Sequence, residues 1–362
     1  MIGVIGGYGN IGIYVVASLR QMGIGEIKIG GRNPEKVKSK FDDIPSVKVD
    51  IEDRESIIDF IKGCFVVINC AGPSTKMSFK LREVCKEIKC NLVDIGMSNK
   101  EFDMVEKNCT DISIIYGAGA TPGLSALLTR WGGSHLSKVN SLEYYMGSMD
   151  VFTKSAAMDY LDGSFGNYSL NGRIWKNRRV QSSELRKLNS VTLPFFQRDV
   201  TLIPFFDNES KYVAETLNLD NGKWYTVIDG KNIEKVLMKI QKDYLENCTK
   251  AVEDLCRVTN LEMLGRSSYM NIIIQYTGID NGIEKTITDV LLSSGPAELS
   301  GIVAASTASA ILNGEMEFGE YALAKVKNPD SIINKIKAKR NINLFSFDKK
   351  LEELIEEIEG EI

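Results

Sequence analysis

A single histidine, His135, occurs in the 362 residues, so no zinc site built on imidazoles is available. Its place after Gly132-Gly133-Ser134 is that of a helix-terminal residue. The seven cysteines, at 64, 70, 85, 90, 109, 248 and 256, form no CxxC pair and sit within apolar or helical patterns. They read as reduced thiols of a cytoplasmic protein, with no metal site. Excess charge of either sign is also missing. With 44 basic against 48 acidic side chains, the net charge of −4 offers no basic face to nucleic acid. No apolar run approaches the roughly 18 residues of a membrane span. The chain opens on a strand pattern where a secretory leader would show a charged and then an apolar region. The available chemistry is therefore that of Lys, Tyr, Asp, Glu, Thr, Cys or a bound cofactor.

What is present is an ordinary globular composition, 43% hydrophobic and 25% charged, on a chain long enough for two domains. Over the first 116 residues, short apolar strands alternate with helical patterns. Strands are expected at 1–5, 26–29, 47–49, 65–69, 91–95 and 113–116, with helices at 11–22, from 33, 54–62, 79–88 and 100–108. That alternation implies an α/β fold with a doubly wound parallel sheet of the Rossmann type. A further helix is expected from Thr121-Pro122 to Gly132. The segments after it are longer and alternate, at 141–146, 223–228 and 269–276, and they read as a second, mixed α+β domain. The strand pair 271–276 and 283–290, joined through Ile279-Asp280-Asn281-Gly282, is a strong hairpin signal. One long helix is expected over 233–259, a small-residue helix over 297–313 and an acidic amphipathic helix over 347–362. The resulting domains are 1–135, with 315–362 packing back on it, and a substrate and dimerisation domain at 136–314.

The stretch Gly6-Gly7-Tyr8-Gly9-Asn10-Ile11-Gly12 follows the first strand and opens the first helix. In that context Gly6 permits the tight turn, Gly9 the approach of a pyrophosphate, and Gly12 close helix packing. Tyr8, Asn10 and Ile11 complete the loop, and the helix N-terminus favours phosphate charge. The end of the second strand selects the dinucleotide. An NAD site places Asp or Glu there to hold the ribose 2′-hydroxyl. This chain has Gly31, Arg32 and Asn33, with no acidic residue before Glu35. A guanidinium suits a 2′-phosphate, so NADP is expected over NAD. Asp50, at the end of the third strand, is a candidate acceptor for the adenine amino group. Asn69, Cys70, Ala71 and Gly72 end the fourth strand with small residues that let ribose and nicotinamide pass the backbone.

These features, with Gly119-Ala120-Thr121-Pro122-Gly123-Leu124-Ser125, resemble the saccharopine dehydrogenase-like oxidoreductases. The resemblance covers about the first 130 residues and implies an NAD(P)-binding domain, an inserted substrate domain and hydride transfer at a carbon–nitrogen bond. One departure matters. Where saccharopine reductases carry an acidic residue before Pro-Gly, this chain has Thr121, and their lysine corresponds only loosely to Lys89. The expected activity is therefore NADP-dependent imine reduction or amine oxidation on an amino-acid-derived small molecule. Enoyl reduction by the same fold and NADP sensing without catalysis stand as alternatives.

Thr121, Asp94 and Lys76 are the candidate catalytic residues. The Thr121 helix start offers backbone N–H groups to a carboxylate or carbonyl, Asp94 ends the fifth strand, and Lys76 lies just beyond Gly72-Pro73. Tyr144 and Tyr145 begin the second domain on opposite faces. The basic run Arg173-Ile174-Trp175-Lys176-Asn177-Arg178-Arg179 is either a carboxylate clamp or a solvated hairpin face. A homodimer is expected, paired through an exposed strand at 271–276.

Overall fold

The computed structural model describes residues 1–37, 40–72, 74–98, 101–102, 111–165, 170 and 172–360. The chain divides into two compact units, each assembled from two separate stretches.

Unit 1 comprises residues 1–127 and 297–338. Its strands are β1 (Ile2–Ile5), β2 (Ile27–Gly31), β3 (Ser46–Lys48), β4 (Val66–Asn69), β5 (Asn91–Asp94), β6 (Ser113–Tyr116) and, far along the chain, β15 (Gly319–Ala322). They form one parallel sheet in the order β15-β6-β5-β4-β1-β2-β3. The strands β1, β4, β5 and β6 are buried at every position, as continuous apolar runs must be when helices cover both faces. The crossover helices are α1 (Gly12–Gln21), α2 (Arg54–Ile61) and α3 (Ser74–Ile88). Asp53 caps α2 by accepting the Glu55 N–H, which is the role its position before the helix predicts. The expected helix at 100–108 lies outside the described residues apart from 101–102, which are helical. Helix α9 (Pro296–Leu312) is buried along nearly its whole length, and its small residues permit close packing. At Gly301 an added Cβ would lie 2.6 Å from the Tyr14 Cβ of α1.

Unit 2 comprises residues 128–296 and 339–362. It is built on a nine-stranded mixed sheet whose main path runs β10-β11-β12-β7-β13-β14-β16. These strands are β7 (Lys138–Met149), β10 (Leu188–Val191), β11 (Val200–Pro204), β12 (Asn221–Ile228), β13 (Tyr269–Asp280), β14 (Ile283–Ser293) and β16 (Ile342–Phe347). A small hairpin, β8 (Arg173–Lys176) and β9 (Arg179–Ser182), joins through β8 to β12. One sheet face carries a core of Tyr145, Tyr225, Val227, Ile273 and Val290. Three helices, α5 (Lys154–Phe165), α7 (Lys231–Glu246) and α8 (Cys248–Glu262), form a second apolar cluster around Leu161, Ile240 and Leu255.

Several expectations are corrected. Residues 315–338 belong to unit 1 as expected, but helix α9 also belongs to unit 1 and the segment from 339 to unit 2, unlike the boundaries expected at 136–314 and 315–362. The small-residue helix completes the parallel-sheet unit, whereas β16 pairs with β14 from Ile342 to Phe347. The expected C-terminal helix therefore starts later, as α11 (Leu351–Gly360). The expected single helix over 233–259 is two, because Asn247 leaves helical geometry and its side chain caps α8 at Lys250. The hairpin strand expected to be an exposed edge is internal. Residues 271–276 of β13 pair with β7 on one side and β14 on the other. Apolarity on both faces there reflects a central strand, so it supplies no edge for pairing between copies. Its turn is as predicted, with Asn281 and Gly282 at φ 48° and 83°.

Candidate functional site

In unit 1 the strand order reverses between β1 and β4, which is the switch point where open parallel sheets bind ligands beyond their carboxyl ends. The glycine loop occupies that point. Gly6 has φ 75°, a conformation that side-chain-bearing residues rarely adopt. An added Cβ at Gly12 would lie 2.2 Å from the Gly6 carbonyl oxygen, so the loop doubles back on itself only with glycine at that position. The Gly9 N–H donates to the Gly6 carbonyl at 2.8 Å, and the Ile13 N–H to the Gly9 carbonyl at 3.2 Å. No side chain caps α1, and its first turn holds no acidic residue. Asn10 and Ile11 thus precede a helix N-terminus whose partial positive charge suits a pyrophosphate.

At the end of β2, Gly31 lies against the Tyr8 ring, and Arg32 and Asn33 are exposed just beyond. The Asn33 N–H donates to the Tyr8 hydroxyl at 3.0 Å. Glu35 follows in a short 3-10 turn, Pro34–Val37. No carboxylate occupies the strand end itself. Asp50 lies in the loop before α2, where its Oδ1 accepts the Glu52 N–H at 3.0 Å and holds a local turn.

The end of β4 is more enclosed than the sequence suggests. Asn69 is fully buried, its Oδ1 accepting the Ala71 N–H at 3.1 Å and its Nδ2 donating to Asp94 at 2.9 Å. Its side chain therefore shapes the loop, and the backbone of Cys70, Ala71 and the exposed Gly72 is what the crevice meets. Burial first, and the Asp94 carboxylate second, push the Cys70 thiol well above its ordinary range, which leaves it protonated and poorly nucleophilic. Asp94 is also fully buried and accepts the Gly96 N–H at 2.9 Å. Burial raises its carboxyl to about 7, against the opposing bonds from Asn69, Gly96 and Ser78. Through the bond from Asn69, Asp94 ties the β4 and β5 ends together.

Thr121 sits on the same edge, in the loop after β6. The Ala118 N–H donates to the Asp94 carbonyl at 2.8 Å and the Gly117 N–H to the Gly96 carbonyl at 3.0 Å, so the β5 and β6 loops run side by side. Thr121 is exposed, and the helix expected to start with it begins instead at Leu124, as α4 (Leu124–Gly133). The N–H groups of Leu124 and Ser125 return to the carbonyls of Gly119 and Ala120. The first N–H groups of α4 are thus taken up by the loop backbone. Lys76 belongs to the first turn of α3, at the same sheet edge; its side chain lies outside the described residues. Lys89 precedes β5 at the opposite end of the sheet and pairs with Asp111 at 2.7 Å, which removes it from the site.

Two charged clusters were illegible in the sequence. In unit 1, Arg82 of α3 donates to the Tyr116 hydroxyl and to Glu320 of β15, both at 3.2 Å. Lys86 reaches the second oxygen of Glu320 at 2.7 Å, and Tyr116 donates to the first. In unit 2, Asp229 is buried beneath Arg198, Arg266 and Tyr269, with Arg198 Nε at 2.5 Å and the Tyr269 hydroxyl at 2.6 Å. Burial alone would raise the Asp229 carboxyl, but Tyr269 and the two guanidinium groups hold it below its usual range. The basic run at 173–179 is the β8–β9 hairpin: Trp175 donates to the Leu219 carbonyl at 2.8 Å, and Arg178 pairs with Asp220 at 2.6 Å. Its charges are spent on the hairpin surface. Tyr144 and Tyr145 are both buried, and Tyr145 stacks on Tyr225. Among the described residues no group of acidic, His and Cys side chains is placed to hold a metal ion, and no helix is long and apolar enough to cross a membrane.

A glycine cradle at the switch point of a parallel sheet, followed by a basic strand end, defines an NAD(P)-binding unit. Residues 2–113 match the family model described as the saccharopine dehydrogenase NADP-binding domain, whose members are typically oxidoreductases. The resemblance drawn from sequence holds over that stretch. Along almost the whole chain the fold is that of an apo saccharopine dehydrogenase (L-Glu forming) from Saccharomyces cerevisiae. The two share 13% identity, cover 96% of this chain and 99% of the yeast chain, and superpose with a TM-score of 0.70. An engineered D-amino acid dehydrogenase is 12% identical over 94% of this chain and 96% of its own, with a TM-score of 0.49. Triphenylmethane reductase of Citrobacter sp., complexed with NADP(H), is 19% identical over 29% of this chain and 40% of its own, with a TM-score of 0.25. Both are too distant to bear on activity. No curated protein matches the sequence.

Proposed function

We propose that the chain is an NADP-dependent oxidoreductase that reduces an imine, or oxidises the corresponding amine, on an amino-acid-derived small molecule. The observation that carries the cofactor half is the β2 end: Gly31 and Arg32 stand where a carboxylate would hold the ribose of NAD. The glycine loop fits the pyrophosphate, since a Cβ at Gly12 would collapse it. The choice of a carbon–nitrogen bond is supported by the match over residues 2–113 and by the chain-long likeness to a saccharopine dehydrogenase. When bound, the nicotinamide supplies or accepts the hydride. The remaining work falls to this chain's residues. Asn69 and Asp94 fix the loops that border the crevice, Cys70, Ala71 and Gly72 present backbone to it, and Thr121 places a hydroxyl on its rim.

The test is steady-state NADPH oxidation with imines formed from α-keto acids and the amino groups of amino acids, and NADP reduction with the matching secondary amines. Turnover with NADPH well above that with NADH is expected. Turnover on enoyl thioesters but on no imine would replace the reading with carbon–carbon reduction. Tight NADPH binding without turnover on either panel would replace it with a sensor.

A further inference from the structure

The third residue of the glycine loop touches the end of β2. An added Cβ at Gly31 would lie 2.5 Å from both Cε1 and the hydroxyl of Tyr8, so the ring rests on Gly31 in space that any larger residue would fill. The Tyr8 hydroxyl accepts the Asn33 N–H at 3.0 Å. A phenol has one proton to give. With its oxygen accepting from Asn33, that proton is left to donate to a ligand oxygen. Lys40 reaches the same residue from the other end, its Nζ donating to the Tyr8 carbonyl at 3.3 Å. An ammonium carries three donors, so two remain.

Tyr8 thus sets a hydroxyl at the strand end, Arg32 is exposed on it, and Lys40 sets an ammonium on the backbone of Tyr8; none of the three offers a carboxylate. A ribose 2′-phosphate brings several acceptor oxygens and about two negative charges and can use all three. A ribose 2′-hydroxyl gains less there, because it carries no negative charge for the guanidinium and the ammonium.

We propose that Tyr8 and Lys40 complete, with Arg32, the seat that reads the 2′-phosphate of NADP, and that Gly31 is glycine because the Tyr8 ring must lie on it. The inference rests on the NADP reading above and assigns the residues that enforce it. It is tested by fluorescence titration of the full-length protein with NADPH and with NADH. Tyr8→Phe keeps the ring on Gly31 and removes only the hydroxyl; it should weaken NADPH by about tenfold and leave NADH within about twofold. Gly31→Ala displaces the ring and should lose at least as much NADPH affinity. Lys40→Ala should cost about threefold and flatten the salt dependence of NADPH binding. If Tyr8→Phe retains the wild-type NADPH-to-NADH ratio while Arg32→Ala abolishes it, the role of Tyr8 is wrong and the NADP reading stands. An equal loss for both nucleotides would also overturn it, by making Tyr8 a support of the loop alone. If the wild type binds both nucleotides equally, the NADP reading itself falls and this one with it.

Discussion

The Asn69 amide donates to Asp94 at 2.9 Å, joining the ends of two adjacent parallel strands through side chains that water does not reach. The bond clasps a residue expected to border the cofactor to one expected to be catalytic. Its energetics depend on pH. Burial raises the Asp94 carboxyl to about 7, so the folded chain favours the protonated form. The stabilisation is complete below about pH 4, near the unfolded value, and is lost as pH rises through about 7. Between about pH 5 and 8 the wild type should lose roughly 2 kcal/mol, a fall of several degrees in Tm. Asp94→Asn should flatten that slope. Parallel pH profiles of Tm for the two proteins would show that the carboxyl does not titrate there.

Arg32 is exposed beside the strand end, and its replacement should act on one cofactor alone. A charge-assisted hydrogen bond contributes about 1.5–3 kcal/mol. Arg32→Ala should therefore weaken NADPH by about ten- to a hundredfold and leave NADH nearly unchanged. Calorimetric titration with both nucleotides checks this; an unchanged ratio refutes it.

Thr121 does not cap α4, because the helix begins three residues later and its first N–H groups return to the loop carbonyls. Thr121→Ala should thus change stability by less than about 0.5 kcal/mol, measured by denaturant unfolding. A loss of about 1 kcal/mol, the worth of an N-cap, would restore the capping role.

Glu320 is 1% exposed and carries Arg82, Lys86 and Tyr116 together. Glu320→Gln leaves the buried Arg82 guanidinium only the carboxylates of Glu83 and Glu101, at 3.4 and 3.9 Å, and should cost up to about 3–5 kcal/mol. Arg82→Met, Lys86→Met and Glu320→Leu together remove all three charges and should recover much of that loss in thermal unfolding. A single variant as stable as the wild type would show the cluster to be energetically idle.

The parallel sheet was readable because each of its strands is a short apolar run followed by a helical period, and both signals are local. The glycine loop was readable for the same reason. The β13 pattern was seen but misjudged: Ile272, Ile273 and Ile274 are apolar in succession because both faces of the sheet are covered there, and with neighbours paired on both sides no edge awaits a partner. Asn247 broke one expected helix into two through a side-chain cap that an apolar period does not register. The surroundings of the catalytic candidates were not readable at all. A carboxylate at a strand end looks the same in sequence whether it faces solvent or is buried, and only the fold shows Asn69 covering Asp94. Glu320 lies 238 residues beyond Arg82, and no local pattern connects them.

That separation also bears on how the protein is made. The parallel sheet receives its last strand, β15, from residues 319–322, so the 238 residues that separate Arg82 from Glu320 must be made before the two meet. At elongation rates of about 5–20 residues per second, the N-terminal portion waits on the order of tens of seconds with a charged helix face and an open flank of β6. Nascent chains should be most vulnerable to capture by chaperones during that interval. A fragment ending at residue 135, the boundary expected from sequence, should accumulate poorly in cells, because it carries the defect permanently.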